Sequence, residues 1–226
     1  MSTWAVLVAA GSGERLGSDM PKAFAPLAGR PLLAESMERL DASEWIDGIV
    51  VAVPSGWEEP AILLAEELGA AKVAQAVAGG PARAESVRLG LAEVPDDVAA
   101  VLVHDAARPL VSHDVVERVV TALGEGWDGV VPAVPVADTI KRLDGRVVLE
   151  TLPRAELVAA QTPQGFRAEV LRAALEGDIA AASDCASLVE ARGGRVVVVE
   201  GDPALVKVTT DADRRLMEIR LRETRT

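Results

Sequence analysis

The residues best suited to chemistry stand near the amino terminus, where Gly11-Ser12-Gly13 is followed by two cations, Arg15 and Lys22. Small residues let backbone N–H groups approach a ligand closely, and a glycine-rich turn carrying two cations suits a polyphosphate. Two familiar phosphate motifs come close and fail. The dinucleotide fingerprint wants a third glycine where Leu16 stands, and the P-loop wants Gly-Lys-Ser/Thr, whereas Lys22 lies between Pro21 and Ala23. Pro21, Pro26 and Pro31 delay the next helix, leaving a long connection of the kind that is functional or disordered in compact domains.

Three further clusters have chemical potential. Gly79-Gly80 leads through Pro81 and Arg83 to Ser86 at a helix start, which offers free amides and a positive dipole end. Asp105 and Arg108 follow an apolar run, at the strand end where ligands lie in open α/β sheets. Lys207 precedes the terminal helix. The chain has 23 basic residues, only four of them lysines (22, 72, 141 and 207), so a retained lysine marks a place wanting a compact point charge.

The elements that must position these residues read as alternating strands and helices. Residues 5–10, 48–53, 99–104 and 195–199 read as buried strands. Residues 31–40, 58–69, 112–123, 168–175, 184–191 and 211–221 read as helices, and residues 79–86 open a further helix that runs on to about Glu93. This rhythm implies a mostly parallel sheet with right-handed crossovers. Residues 129–136 are interrupted by proline and read as an edge or a strand end. Residues 138–152 read as a hairpin about Asp144-Gly145, marginal alone and therefore leaning on something else, such as a second subunit.

Composition narrows the function. At 226 residues, half of them apolar, the chain is one large domain or a domain with an appendage, long enough to bury a real core. A net charge of −12 argues against nucleic acid or an anionic membrane as partner. It also means that a triphosphate site needs local cations and a Mg2+ ion. The single Cys185 forms no internal disulfide, and with His104 and His113 it argues against zinc. The first apolar run is too short for a signal peptide or a membrane span, which makes a cytoplasmic protein the expectation.

Residues 7–33, LVAAGSGERLGSDMPKAFAPLAGRPLL, resemble the opening of the cytidylyltransferases that make 4-diphosphocytidyl-2-C-methyl-erythritol in the non-mevalonate isoprenoid pathway. HDAARP at 104–109 matches that family letter for letter, and GGPARAES at 79–86, TPQ at 162–164 and LVKVT at 205–209 extend the likeness over nearly the whole chain.

The resemblance implies a single cytidylyltransferase domain, 1–226, with a three-layer, Rossmann-like sheet and a β-arm, 137–160, that makes a homodimer. It implies transfer of CMP from CTP to 2-C-methyl-D-erythritol 4-phosphate, with Mg2+ as cofactor. Ala9, Ala10, Gly11, Ser12, Gly13, Gly80, Arg83, Ser86 and Asp105 would bind the nucleotide. Asp105 would also hold the metal. Asp105, Arg108, Thr139, Arg154 and Lys207 would bind the acceptor, and Arg15, Lys22, Arg154 and Lys207 would be catalytic. Pro81 departs from the family pattern by removing a backbone donor. Two alternatives stay open from sequence: another polyol phosphate such as ribitol 5-phosphate as acceptor, and a nucleotide-binding regulator without catalysis.

Overall fold

A computed structural model describes residues 1–11, 20–180 and 182–224. In chain order the elements are β1 (Thr3–Val8), β2 (Pro26–Leu27), β3 (Arg30–Pro31), α1 (Leu32–Asp41), β4 (Gly48–Val53), α2 (Glu58–Leu68), β5 (Val73–Ala78), α3 (Arg83–Ala92), β6 (Ala100–Asp105) and α4 (His113–Gly124). They continue as β7 (Gly129–Pro135), β8 (Lys141–Asp144), β9 (Val147–Thr151), β10 (Val158–Ala160), β11 (Gln164–Arg167), α5 (Ala168–Ala174), α6 (Cys185–Ala191), β12 (Val196–Glu200) and α7 (Asp211–Thr224).

Strands β5, β4, β1, β6, β7 and β12 are mutually parallel, and β11 runs antiparallel between β6 and β7. β10 continues the path of β11 along β7, pairing Val158 with Pro135 and Ala160 with Ala133. The strand chemistry explains the layers. Central strands such as GIVVAV at β4 are buried throughout because helices cover both faces. Side chains alternate between those faces. Leu7, Ile49, Val51 and Leu102 pack with Leu33, Met37 and Leu40 of α1 and Val115 and Val119 of α4. Val6, Val50, Val101 and Val103 pack with Val87 and Leu91 of α3, Leu171 of α5 and Val189 of α6. Each fully buried side chain of this size contributes about 1.5–3 kcal/mol, so two such layers define the domain.

Helix ends follow local rules. Pro31 opens α1 with its fixed φ, and Gly69 closes α2 in the left-handed region at φ 67°. At α7, Thr210 Oγ1 accepts from Asp213 N–H while the Asp213 carboxylate accepts from Thr210 N–H, a reciprocal cap. Met217 and Leu221 then pack against Leu27, Leu32 and Leu110, pinning α7 beside the carboxyl edge of the sheet.

Two sequence readings need correction. β7 is an interior strand, not an edge; of its two prolines only Pro135 stands at the strand end. Pro132 lies on the side of β7 where β10 gives way to β11, and its carbonyl accepts from Gln161 N–H, so the missing donor falls at the junction of those strands rather than inside either ladder. β12 is the outer edge and half-exposed, not a buried strand, since β7 is its one neighbour in the sheet. β5, with Gln75 and alternating alanines, gave no strand signal and forms the opposite edge. The hairpin of 138–152 forms as β8 and β9, a separate two-stranded sheet with every residue exposed. No helix among the described residues is long and apolar enough to cross a membrane.

Candidate active site

A cavity of about 610 Å³ opens beyond the carboxyl ends of β1 and β6. Its walls are Val8–Gly11 after β1, Gly80–Arg83 and Ser86 at the start of α3, Asp105–Ala107 after β6, and Lys22, Lys207 and Thr209 at the rim. Parallel pairing accounts for this meeting, because the register Val8 with Asp105 ends two strands level with one another. The cavity thus lies where open α/β sheets hold their ligands, outside the carboxyl ends of the strands.

Asp105 is the electrostatic centre. It is buried, with Arg83 Nε donating to Oδ1 at 2.8 Å and Lys207 Nζ donating to Oδ2 at 2.7 Å. Burial alone would push the carboxyl up; the two cations outweigh it and hold it well below the usual carboxylate range. Burial likewise lowers Arg83, but neighbouring Asp105 more than restores it, so the pair stays ionised. Arg83 also reaches Cys185 Sγ at 3.7 Å, and burial pushes that thiol up to about 11, leaving it protonated. With Lys22, the cavity carries a net positive lining in a chain of net charge −12.

The opposite wall is a tight turn. Ser86 Oγ accepts from Gly80 N–H at 3.1 Å and donates to Ala82 O at 3.2 Å, while Glu85 Oε2 accepts from Ala82 N–H at 3.2 Å. A β-carbon on Gly79 would collide with the Ala10 methyl and lie 2.8 Å from Ser86 Oγ. Glycine there lets this wall close directly on the β1 loop.

Most of the residues singled out in the sequence meet here. Ala9, Ala10, Gly11, Lys22, Gly80, Arg83, Ser86, Asp105 and Lys207 all line the cavity. Ser12, Gly13 and Arg15 lie outside the described residues. Arg108 does not line it. Its guanidinium donates to Leu205 O at 2.8 Å and to Ala160 O at 3.3 Å. Thr139 and Arg154 belong to the arm and are absent from the cavity of their own chain; Arg154 Nη1 donates to Ala137 O at 2.7 Å. Sequence reasoning missed Ala107 and Thr209, small residues with no chemical signal of their own. It also missed the pairing of Thr162 with His104 behind Asp105, although both sit in matched motifs.

The family model for 2-C-methyl-D-erythritol 4-phosphate cytidylyltransferase matches residues 3–223. A protein of that name from Nocardia farcinica is 46% identical over 218 residues, covering 96% of this chain and 93% of its own. The crystal structure of the cytidylyltransferase of the same name from Thermus thermophilus aligns with a TM-score of 0.78 at 35% identity, over 96% of this chain and 98% of that one. A 4-diphosphocytidyl-2C-methyl-D-erythritol synthase from Anaerococcus prevotii aligns with a TM-score of 0.83 at 25% identity, covering 98% of each chain. A cation-lined cavity at the strand ends, closed by a glycine turn, thus sits in a chain that belongs to the 2-C-methyl-D-erythritol 4-phosphate cytidylyltransferase family of nucleotidyltransferases.

Proposed function

We propose that this cavity carries out the family's reaction as an in-line displacement, with the base of CTP against the Gly80–Ser86 wall and the phosphates toward Lys22. An oxygen of the acceptor's phosphate attacks the α-phosphorus, the bond from that phosphorus to the bridging oxygen breaks, and pyrophosphate leaves with the electron pair. No side chain needs to become a nucleophile, because the acceptor phosphate is already anionic at neutral pH. The protein's contribution is positioning and charge stabilisation. Lys22 and Arg15 are assigned to the charge developing on the α-phosphate and the leaving group. Lys207 is assigned to the attacking phosphate. The observation that carries this reading is the Arg83–Asp105–Lys207 array lining one cavity together with Lys22.

Mg2+ fits the residues present. Among the described residues no three carboxylate, histidine or cysteine groups converge on a metal site. Mg2+ in nucleotide enzymes needs only one or two carboxylates beside the substrate's phosphates. Among the described residues each Asp105 oxygen accepts one hydrogen bond and keeps a lone pair, so Asp105 would be the protein ligand. When bound, the ion would screen charge on the phosphates.

The arm supports a homodimer. Leu143, Val147 and Leu149 are 56%, 65% and 61% exposed on a hairpin that stands away from the core. Two-stranded hairpins are marginal in water, and a partner would cover these side chains. Thr139 and Arg154 of the partner subunit would then complete the acceptor site. The chain carries no internal disulfide, its one cysteine, Cys185, being buried, which suits a cytoplasmic enzyme.

Pyrophosphate release with CTP is the test, run with 2-C-methyl-D-erythritol 4-phosphate and ribitol 5-phosphate as acceptors. Release with the first alone is the expected result; release with the second alone reassigns the acceptor, and none with either removes catalysis.

A further inference from the structure

His104 is fully buried near the end of β6, between the apolar run Ala100–Val103 and Asp105. Its Nδ1 lies 3.1 Å from Thr162 Oγ1 and its Nε2 lies 3.1 Å from Arg108 O. The Asp105 amide nitrogen lies 3.1 Å from the same Thr162 Oγ1. The protons in this chain can be placed by elimination. An amide can only donate, so Thr162 Oγ1 accepts from Asp105 N–H. Arg108 O can only accept, so His104 Nε2 carries the ring proton and donates to it, and the bare Nδ1 of the neutral ring accepts the hydroxyl's proton. The other tautomer would set a bare Nε2 lone pair against a carbonyl oxygen. The ring is fully buried and both of its partners, a hydroxyl and a carbonyl, are uncharged, which suits a neutral imidazole.

The reason for the arrangement lies in the sheet. β6 runs beyond the start of its antiparallel neighbour, since β11 begins at Gln164, opposite Val103. By that register the residue opposite Asp105 is Thr162, which lies before β11 begins. The Thr162 hydroxyl stands in for the missing ladder bond at Asp105, and His104 decides which way that hydroxyl points. The far end of the ring fixes Arg108 O, whose residue in turn holds Leu205 O, two positions before Lys207. Val208 N–H donates to Ala107 O at 2.8 Å, tying the same two segments again.

We propose that His104, as the neutral Nε2–H tautomer, is a positioning residue that aligns the Asp105 turn and the Lys207 segment for the transfer reaction without touching either substrate. This rests on the reading of Asp105 and Lys207 as site residues. The pieces are far apart in sequence and meet through this ring: Thr162 is 58 residues away, and Leu205 is 97 from Arg108.

The test combines the native protein with three variants. In native protein carrying 15N-labelled histidine, the His104 spectrum near neutral pH should show an unprotonated Nδ1 and a protonated Nε2; the opposite tautomer or an imidazolium overturns the proposal without any variant having to fold. His104→Phe should lower kcat/KM for the acceptor about a hundredfold, the effect of roughly 1 Å of misplacement, while CTP affinity by direct titration changes little. His104→Asn places an acceptor near the Nδ1 position and should recover part of that loss; equal loss in both variants, or kcat/KM for His104→Phe within about twofold of native, overturns the role. Asp105→Asn separates the two readings: if it is fully active, the reading of the site fails, whereas an inactive Asp105→Asn beside a fully active His104→Phe sinks only the positioning role.

Discussion

Lys207 reaches across 102 positions of sequence to place its Nζ 2.7 Å from Asp105 Oδ2. Because Arg83 takes the other oxygen, one carboxylate holds two cations at fixed places on the cavity wall. Asp105→Asn keeps the shape and removes that counter-ion, leaving two positive groups to repel each other. Turnover, measured as pyrophosphate release, should fall about a hundred- to a thousandfold, the usual loss for one preorganised electrostatic contact. A native rate in this variant would take Asp105 out of the site.

Lys22 stands at the rim of the same cavity, and the proposed mechanism has it act on charge that develops during transfer. Lys22→Ala should lower kcat about a hundredfold or more with a modest change in CTP affinity. Lys22→Arg should not restore the rate, since a planar fork does not replace a compact ammonium. Direct CTP titration checks the division; affinity falling as far as kcat would make Lys22 a ground-state anchor.

Gly79→Ala would drive a methyl into Ala10 and toward Ser86 Oγ. The walls must part, and overpacking of this kind costs about 1–3 kcal/mol. The expected outcome is a lower urea midpoint together with weaker CTP binding, because the displaced turn is the one assigned to the base. Weaker stability with unchanged CTP affinity would move the base elsewhere in the cavity.

The His104 ring has its own signature in stability. Its value of about 4 lies below the ordinary 6.5, so between those values the unfolded chain binds a proton that the folded chain does not. The stabilisation by the neutral ring is complete above pH 6.5, is lost as pH falls toward 4, and is constant below that. A depression of this size amounts to about 3 kcal/mol. Asp105 is held far lower and adds its loss beneath about pH 4, outside this window. Urea unfolding of native and His104→Asn protein across the window should show the native slope steeper by up to one proton; identical slopes would contradict a buried neutral ring.

Sharing of sites between subunits can be read from mixtures. Arg154→Ala chains lack the arm's cation and Arg15→Ala chains lack a loop cation. If each site draws Arg154 from its partner, mixed dimers hold one intact site and should regain up to about half the native activity per mixed dimer, by simple site counting. Activity no higher than either parent, with subunit exchange verified by mass, would mean that each chain serves itself.

Legibility in the sequence tracked locality. β4 was read at its true limits because a buried parallel strand is an unbroken apolar run, and Gly69 marked the end of α2 because only a left-handed cap wants glycine there. Asp105 was legible from its place after such a run. β5 was not, since an edge strand with Gln75 and three alanines has little β-branched character. Pro132 misled, because tolerance of proline inside a sheet depends on which neighbour its nitrogen faces. The tie from Arg108 to Leu205 O joins a side chain to a main-chain oxygen, and the identity of a residue says nothing about who will bond its carbonyl.

The reversal of β11 has a consequence for how this protein can vary. β7 delivers the chain to the carboxyl edge of the sheet, and an antiparallel strand must start from that same edge. The segment between them, arm included, therefore leaves and returns on one side and never crosses a face of the sheet. In effect it is an overgrown hairpin loop. Its length and sequence are uncoupled from the strand order, so the arm can be lengthened, shortened or exchanged while the cavity's walls keep their places, and every such change is presented at the edge where the chemistry occurs.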